Sequence, residues 1–198
     1  MAQLLSKRQQ KKLIGAIAGL LLAGVTALLQ QQGLLGKALQ NAQQAQPGLY
    51  HVLEFVDGDT IIVDMNGKSE KVRFIGVDTP ETHDPRKAVQ CFGEAAAAFT
   101  KQFIGTQNVR LENDPTNTNR DRYDRLLRYV YLPNNTLVNA EIIKQGYGFA
   151  YTGFPFTKAD DFVHYQTEAR VAKRGLWNDC SPAENQYGGF TSNDADSK

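Results

Sequence analysis

The chain has 198 residues, 41% of them apolar and 10% aromatic, enough for one packed domain with appendages. Its formal charge of +1 excludes a protein that is strongly basic or strongly acidic throughout. Residues 1–49 hold Lys7, Arg8, Lys11, Lys12 and Lys37 and no acid, leaving 17 basic against 21 acidic residues, so attraction of the remaining body to a polyanion must be local or metal-mediated.

Leu13–Leu29, LIGAIAGLLLAGVTALL, is uncharged and follows the basic stretch SKRQQKK, the order of an export signal or amino-terminal anchor. Its 17 residues reach the lower limit for crossing a bilayer about 30 Å thick, and Val25-Thr26-Ala27 offers a small-residue cleavage site, so cleaved signal and retained anchor both stay open. A buried core helix is the plainer alternative. Export is expected, with an extracellular or outward-facing cell-surface location. The Gln- and Ala-rich residues 30–47 read as a linker, residues 48–180 as the folded domain, and residues 181–198 as a disordered tail without core-forming periodicity.

From Tyr50 the pattern turns to short strands separated by turn dipeptides. Strands are expected over Tyr50–Val56, Thr60–Met65 and Lys71–Val77, joined at Asp57-Gly58 and Asn66-Gly67. Phe92, Ala96, Phe99 and Phe103 recur at helical spacing, predicting a helix over Phe92–Ile104 that Gly105 ends. Two more strands follow at Val109–Glu112 and Leu126–Leu132, around the charged loop DPTNTNRDRYDR. A short helix is expected over Val138–Gln145, and a last one with Phe162, Tyr165, Ala169, Ala172 and Leu176 on one stripe. Five strands with three helices predict an α+β, β-rich OB-fold barrel.

Val56–Glu81 carries the chemistry. It sets the acidic clusters DGD and DTPE at the ends of a strand-turn-strand pattern, with Arg73 inside the apolar run between them. Carboxylates and a guanidinium gathered at one sheet edge are what a metal-assisted attack on a phosphodiester needs.

Taken in order, VDGDT, VRFIGVDTPET, FGEAAAAFTK, RYDR, LVNAEIIKQG and RGLW resemble the staphylococcal nuclease (thermonuclease) family across roughly residues 50–178. The resemblance implies a calcium-dependent phosphodiesterase acting on DNA and RNA and leaving 3′-phosphates. It assigns the metal to the carboxylates of Asp59 and Asp78 and the main-chain carbonyl of Thr79, and catalysis to Arg73, Glu81 and Arg125. Calcium accepts such an all-oxygen set completed by water and phosphate. The two forked guanidiniums suit the charge that builds on phosphorus, and Glu81 is placed to activate or orient water. Arg122 and Tyr123 are expected to contact substrate, Arg86 and Lys87 either to track the backbone or to lie in a solvated loop, and Tyr151 or Phe154 to stack on a base, which would favour single strands. The protein is expected to be a monomer, with DNA and RNA as partners and the membrane too if residues 13–29 are retained.

Two departures from the family stand out. Its paired tyrosines fall on Thr152 and Phe154, and its glycine before the second catalytic arginine is Asp124, an added acid beside the phosphate site.

Each residue alone has a plainer reading. Asp57 and Asp59 suit a turn, Asp78 a helix entry, Arg73 a surface strand pair with Glu70 or Glu112, and Arg125 a solvated loop shared with Arg120, Arg122 and Arg128. Their joint occurrence in order favours the catalytic reading over a non-catalytic OB module binding nucleic acid or protein. His51, His83 and His164 are scattered and read as surface or packing residues. In an exported chain Cys91 and Cys180 are expected to pair, against two separate thiols or pairing between molecules.

Overall fold

The computed structural model describes residues 48–82, 88–185 and 189–195. The candidate signal or anchor and the linker, with His83, Arg86 and Lys87, lie outside them. Among the described residues no helix is long and apolar enough to cross a membrane.

The frame is a closed barrel in the order β1 (Leu49–Phe55), β2 (Thr60–Met65), β3 (Lys68–Phe74), β6 (Leu126–Tyr131) and β5 (Val109–Glu112). The β2–β3 connection is the expected Asn66-Gly67 hairpin. Both residues have positive φ, 57° and 86°, the geometry whose twist matches the flanking strands. β3 and β6 run parallel, setting Arg73 beside Leu127, while β5 pairs antiparallel with β1 and β6 to close the barrel. Alternation puts Ile61, Val63, Val72, Phe74, Leu111, Leu126 and Val130 inside, each no more than 2% exposed.

The third strand differs from its expected span. It begins at Lys68 and ends at Phe74, because Gly76 turns the chain at φ 71° against Phe156 and Phe162. Val77–Asp78 then forms a separate β4, paired with β7 (Phe149–Ala150), which moves Asp78 off the barrel wall.

Helix α1 (Gly93–Ile104) buries Gly93, Ala96, Thr100 and Ile104. The phenylalanines of the predicted stripe flank this face instead, Phe99 stacking on Tyr147 at 4.1 Å between centroids. Helix α2 (Val138–Lys144) carries the buried Asn139, which accepts from the Val130 N–H and donates to the Ile75 carbonyl. The last helix is two: α3 (Ala159–Val171) and α4 (Leu176–Asp179). The break comes at Lys173 and Gly175, with φ 50° and 53°, where Gly175 packs against the Gly146 backbone too closely for a side chain. Ala172 is therefore exposed, and Gln166 joins the buried face by accepting from the Ala150 N–H at 2.9 Å.

Within the stretch whose composition reads as a disordered tail, β8 (Ala183–Glu184) and β9 (Phe190–Thr191) pair as a hairpin. Phe190 packs edge-on to Trp177 at 5.1 Å and against Phe149 at 6.2 Å. Cys91 and Cys180 form a disulfide, so the pair expected from the sequence closes within one chain.

Candidate active site

An open cleft of about 920 Å³ lies at the end of the barrel where β2 begins and β3 ends. Its walls include Asp57, Asp59, Arg73, Asp78, Thr79, Glu81, Asp121, Arg122, Tyr123 and Arg125.

The DGD turn is built locally and then held from outside. Asp57 Oδ1 accepts the Asp59 N–H at 3.0 Å, so for Asp57 the turn role is real. Buried Thr100 of α1 donates to the Gly58 carbonyl at 2.6 Å. A side chain on Gly58 would come within 2.8 Å of Thr79, so only glycine lets this turn lie against the DTPE segment. The contact it permits joins the two acidic clusters. Asp59 Oδ2 accepts from the backbone N–H of Thr79 at 2.8 Å and its hydroxyl at 3.1 Å, and Oδ1 from Thr60 Oγ1 at 3.0 Å.

Arg73 stands between the clusters. One terminal nitrogen pairs with Asp59 and the other with Asp78 Oδ1 at 3.0 Å. Its partners are thus the cleft carboxylates and not the two glutamates suggested by sequence: Glu70 pairs with Lys68 and Arg120, and Glu112 with Arg110. Burial raises the Asp57 carboxyl above its ordinary value, with Glu81 pushing the same way and Arg73, Thr60 and Arg125 opposing.

Glu81 follows β4 on an irregular segment. Its N–H donates to Gln90 Oε1 at 2.8 Å, its carbonyl accepts the Gln90 N–H at 2.9 Å, and Oε1 accepts the Thr82 N–H at 2.9 Å.

Arg125 arrives on the loop between β5 and β6, which the sequence reads as a solvated charge run. The loop is anchored along its length. Asp114, 2% exposed, accepts from Thr116, Tyr129 and Thr157, five donors in all. Burial opposes ionisation, but those hydrogen bonds outweigh it and hold the carboxyl well below the usual range. The same burial and the neighbouring carboxylate push the Tyr129 phenol up. Arg128, 1% exposed, binds Asn119 through its carbonyl and side-chain oxygens, and burial with help from Arg120 lowers its guanidinium to about 10. Arg120 reaches Glu70 of β3 at 2.8 Å. Asp121 then takes Arg125 itself. Neither Asp114 nor Asp121 stood out in the sequence, since an Asx turn and a solvated acid look alike there.

Asp124 has φ 63°, a left-handed conformation that glycine adopts freely and aspartate tolerates. Its side chain is 87% exposed, 3.5 Å from Arg120 Nε, so the added acid turns toward Arg120. Tyr123, 63% exposed, offers its ring to Arg122 at 4.8 Å and Arg125 at 5.5 Å. Tyr151 and Phe154 line the far wall, edge to face at 5.3 Å. His51 and His164 lie on β1 and α3, outside the cleft lining.

Among the described residues no three His, Cys, Asp or Glu side chains form a ready-made metal cage. One guanidinium spans Asp59 and Asp78, so the two carboxylates lie close enough to share a cation, and every donor is oxygen. That set fits a hard divalent ion whose shell is completed by the Thr79 carbonyl, water and phosphate, and offers nothing to a softer metal.

The staphylococcal nuclease homologue model matches residues 71–179. The chain belongs to this family. Its sequence is 35% identical over 167 residues to a thermonuclease of Staphylococcus hyicus, covering 84% of this chain and 95% of that protein. To a thermonuclease of Staphylococcus intermedius it is 36% identical over 168 residues, covering 84% and 98%. Endonuclease YncB of Bacillus subtilis is 40% identical over 125 residues, 62% of this chain and 58% of that protein. This staphylococcal nuclease homologue is a hydrolase of nucleic-acid phosphodiester bonds.

Proposed function

We propose that the protein is an exported, calcium-dependent nuclease that cleaves DNA and RNA and leaves 3′-phosphates, using Asp59, Asp78 and Thr79 for the metal and Arg73, Glu81 and Arg125 for catalysis. The observation that carries this reading is that all six line one cleft although their positions span Asp59 to Arg125. A calcium ion bound by the two carboxylates and the Thr79 carbonyl would polarise a phosphoryl oxygen.

The chain's own groups divide the remaining work. Arg73 on β3 is paired with Asp59 and Asp78, and a cation taking those carboxylates would free its fork for the phosphate. Arg125, from the β5–β6 loop, offers the donors that Asp121 leaves open, and the two together would neutralise the charge that grows on the phosphate oxygens. Asp121 keeps the Arg125 fork oriented. Glu81 orients the attacking water and takes its proton as the water oxygen bonds to phosphorus, the P–O5′ bond breaks on the opposite side, and the departing 5′-oxygen takes up a proton from solvent. Arg122 with Tyr123 holds a neighbouring phosphate, and the exposed ring of Tyr151, with the half-buried Phe154 beside it, accepts an unstacked base, which favours single-stranded substrate. The protein acts as a monomer outside the cell, either released or tethered through residues 13–29.

The test is incubation with single-stranded DNA and RNA in calcium and then in chelator. Cleavage in calcium alone, with 3′-phosphate ends, is expected. Equal cleavage in chelator would remove the metal assignment, and no cleavage in either would leave a binding module.

A further inference from the structure

We propose that the carboxy-terminal hairpin is part of the catalytic apparatus, with Gln90 as the positioning residue through which it holds Glu81; the proposal rests on the catalytic role assigned to Glu81 above.

Glu81 has no regular element to hold it. β4 ends at Asp78, and Glu81 itself belongs to no strand or helix. Both its main-chain polar groups are instead committed to one residue: its N–H to Gln90 Oε1 and its carbonyl to the Gln90 N–H. The amide of Gln90 is thereby oriented. With its oxygen on Glu81, its nitrogen faces the other way and donates to Thr191 Oγ1 and the Ser192 carbonyl, both at 3.3 Å. A glutamine serves here because it accepts on one side and donates on the other.

The strip around Gln90 is zipped to the tail by main-chain contacts as well. The Cys91 N–H donates to the Asn193 carbonyl at 2.8 Å, Ser192 Oγ to the Cys91 carbonyl at 2.9 Å, and the Ala195 N–H to the Val89 carbonyl at 2.9 Å. Ser192 is only 5% exposed. The Cys91–Cys180 disulfide fastens the residue after Gln90 to the start of the tail, while Phe190, packed on Trp177 and Phe149, fastens its far strand. Under Glu81, Gly93 leaves no room for a side chain, since a Cβ there would meet Thr82 at 2.7 Å and the Glu81 carbonyl at 2.9 Å. The segment bearing Glu81 is thus held from two sides, by the start of α1 and by a strip whose own position depends on residues 191–195. A general base must sit within a fraction of an ångström of its working position, so a device that fixes its backbone acts on turnover more than on affinity.

The experiment compares Gln90→Ala and the double variant Cys91→Ser with Cys180→Ser, each alone and in a Glu81→Gln background, in the full chain. Alone, Gln90→Ala is expected to lower kcat on the order of tenfold with KM little changed. The double serine variant is expected to lower kcat in the same direction. In the Glu81→Gln background neither should lower it further, because the group they position is gone. Wild-type kcat for Gln90→Ala, or equal losses in both backgrounds, would show that Gln90 supports the fold without acting through Glu81. Wild-type kcat for the double serine variant would detach the tail from the active site. A Glu81→Gln protein as fast as wild type would instead overturn the role of Glu81, and the positioning with it. Circular dichroism and Tm on every variant separate loss of fold from loss of position.

Discussion

The carboxylate of Asp121 holds Arg125 at both its backbone and its side chain: Oδ1 accepts the Arg125 N–H at 3.0 Å, and Oδ2 accepts Nε at 2.7 Å and Nη2 at 2.6 Å. Burial alone would raise the Asp121 carboxyl. The bonds from Arg125 and the Tyr123 N–H outweigh it and keep the group ionised. With one edge of the guanidinium so occupied, the remaining donors face the cleft in a fixed direction. Asp121→Ala is therefore expected to lower kcat by about 10²-fold with the fold intact, and to cost nothing further when Arg125 is already alanine. Additive losses in steady-state kinetics would refute the link.

For the proposed catalytic groups themselves, Glu81→Gln should lower turnover by about 10²- to 10⁴-fold, the range of a general base. Arg125→Lys, which keeps the charge and loses the fork, should fall nearly as far as Arg125→Ala. Lysine restoring wild-type kcat would mean that charge alone suffices.

Asp114 ties the β5–β6 loop to β6 and to Thr157, and its lowered pKa makes stability depend on pH in a defined direction. A carboxyl whose folded value lies below its unfolded value near 3.9 adds stability that is present above about that pH and is lost as pH falls toward the folded value. Asp114→Asn should cost about 2–3 kcal/mol at neutral pH, and less as the pH drops below 4. Chemical denaturation of both proteins at neutral pH and at pH 3 measures the difference. A gap that stays constant over that interval would place the loss elsewhere.

At Asp124 the backbone, not the charge, is the expected determinant. The residue sits at φ 63° with its carboxylate directed at Arg120, in a surface pair that contributes little. Asp124→Gly should retain wild-type turnover, whereas Asp124→Val should lower stability by about 1–2 kcal/mol through the left-handed backbone. A clear gain in phosphate affinity for the glycine variant would show that the acid does reach the site.

The barrel was readable from the sequence because its determinants are local. Period-2 alternation places the strands, Asn66-Gly67 demands its hairpin, and the apolar spacing through residues 92–104 marks α1. Arg73 and Asp78 were legible for the same reason, lying five residues apart on one short segment. Asp121 was not. In the sequence it is one charge among many in DPTNTNRDRYDR, and only folding sets it against Arg125 rather than water.

By itself, then, the sequence determined where the five barrel strands lie along the chain, the two acidic clusters and the residue types available to a phosphate. The tertiary structure decided which of those residues meet. Arg73 turns to Asp59 and Asp78, not Glu70 or Glu112, because β3 stops at Phe74 and the Gly76 bend carries Asp78 toward the DGD turn. Gln90 reaches Thr191 and Ser192 about a hundred positions away because a hairpin, pinned by Cys91–Cys180 and Phe190, folds back over it. Periodicity and turn chemistry report the few neighbouring residues that set local geometry. Contacts between distant segments depend on how whole elements pack, and no local pattern encodes that.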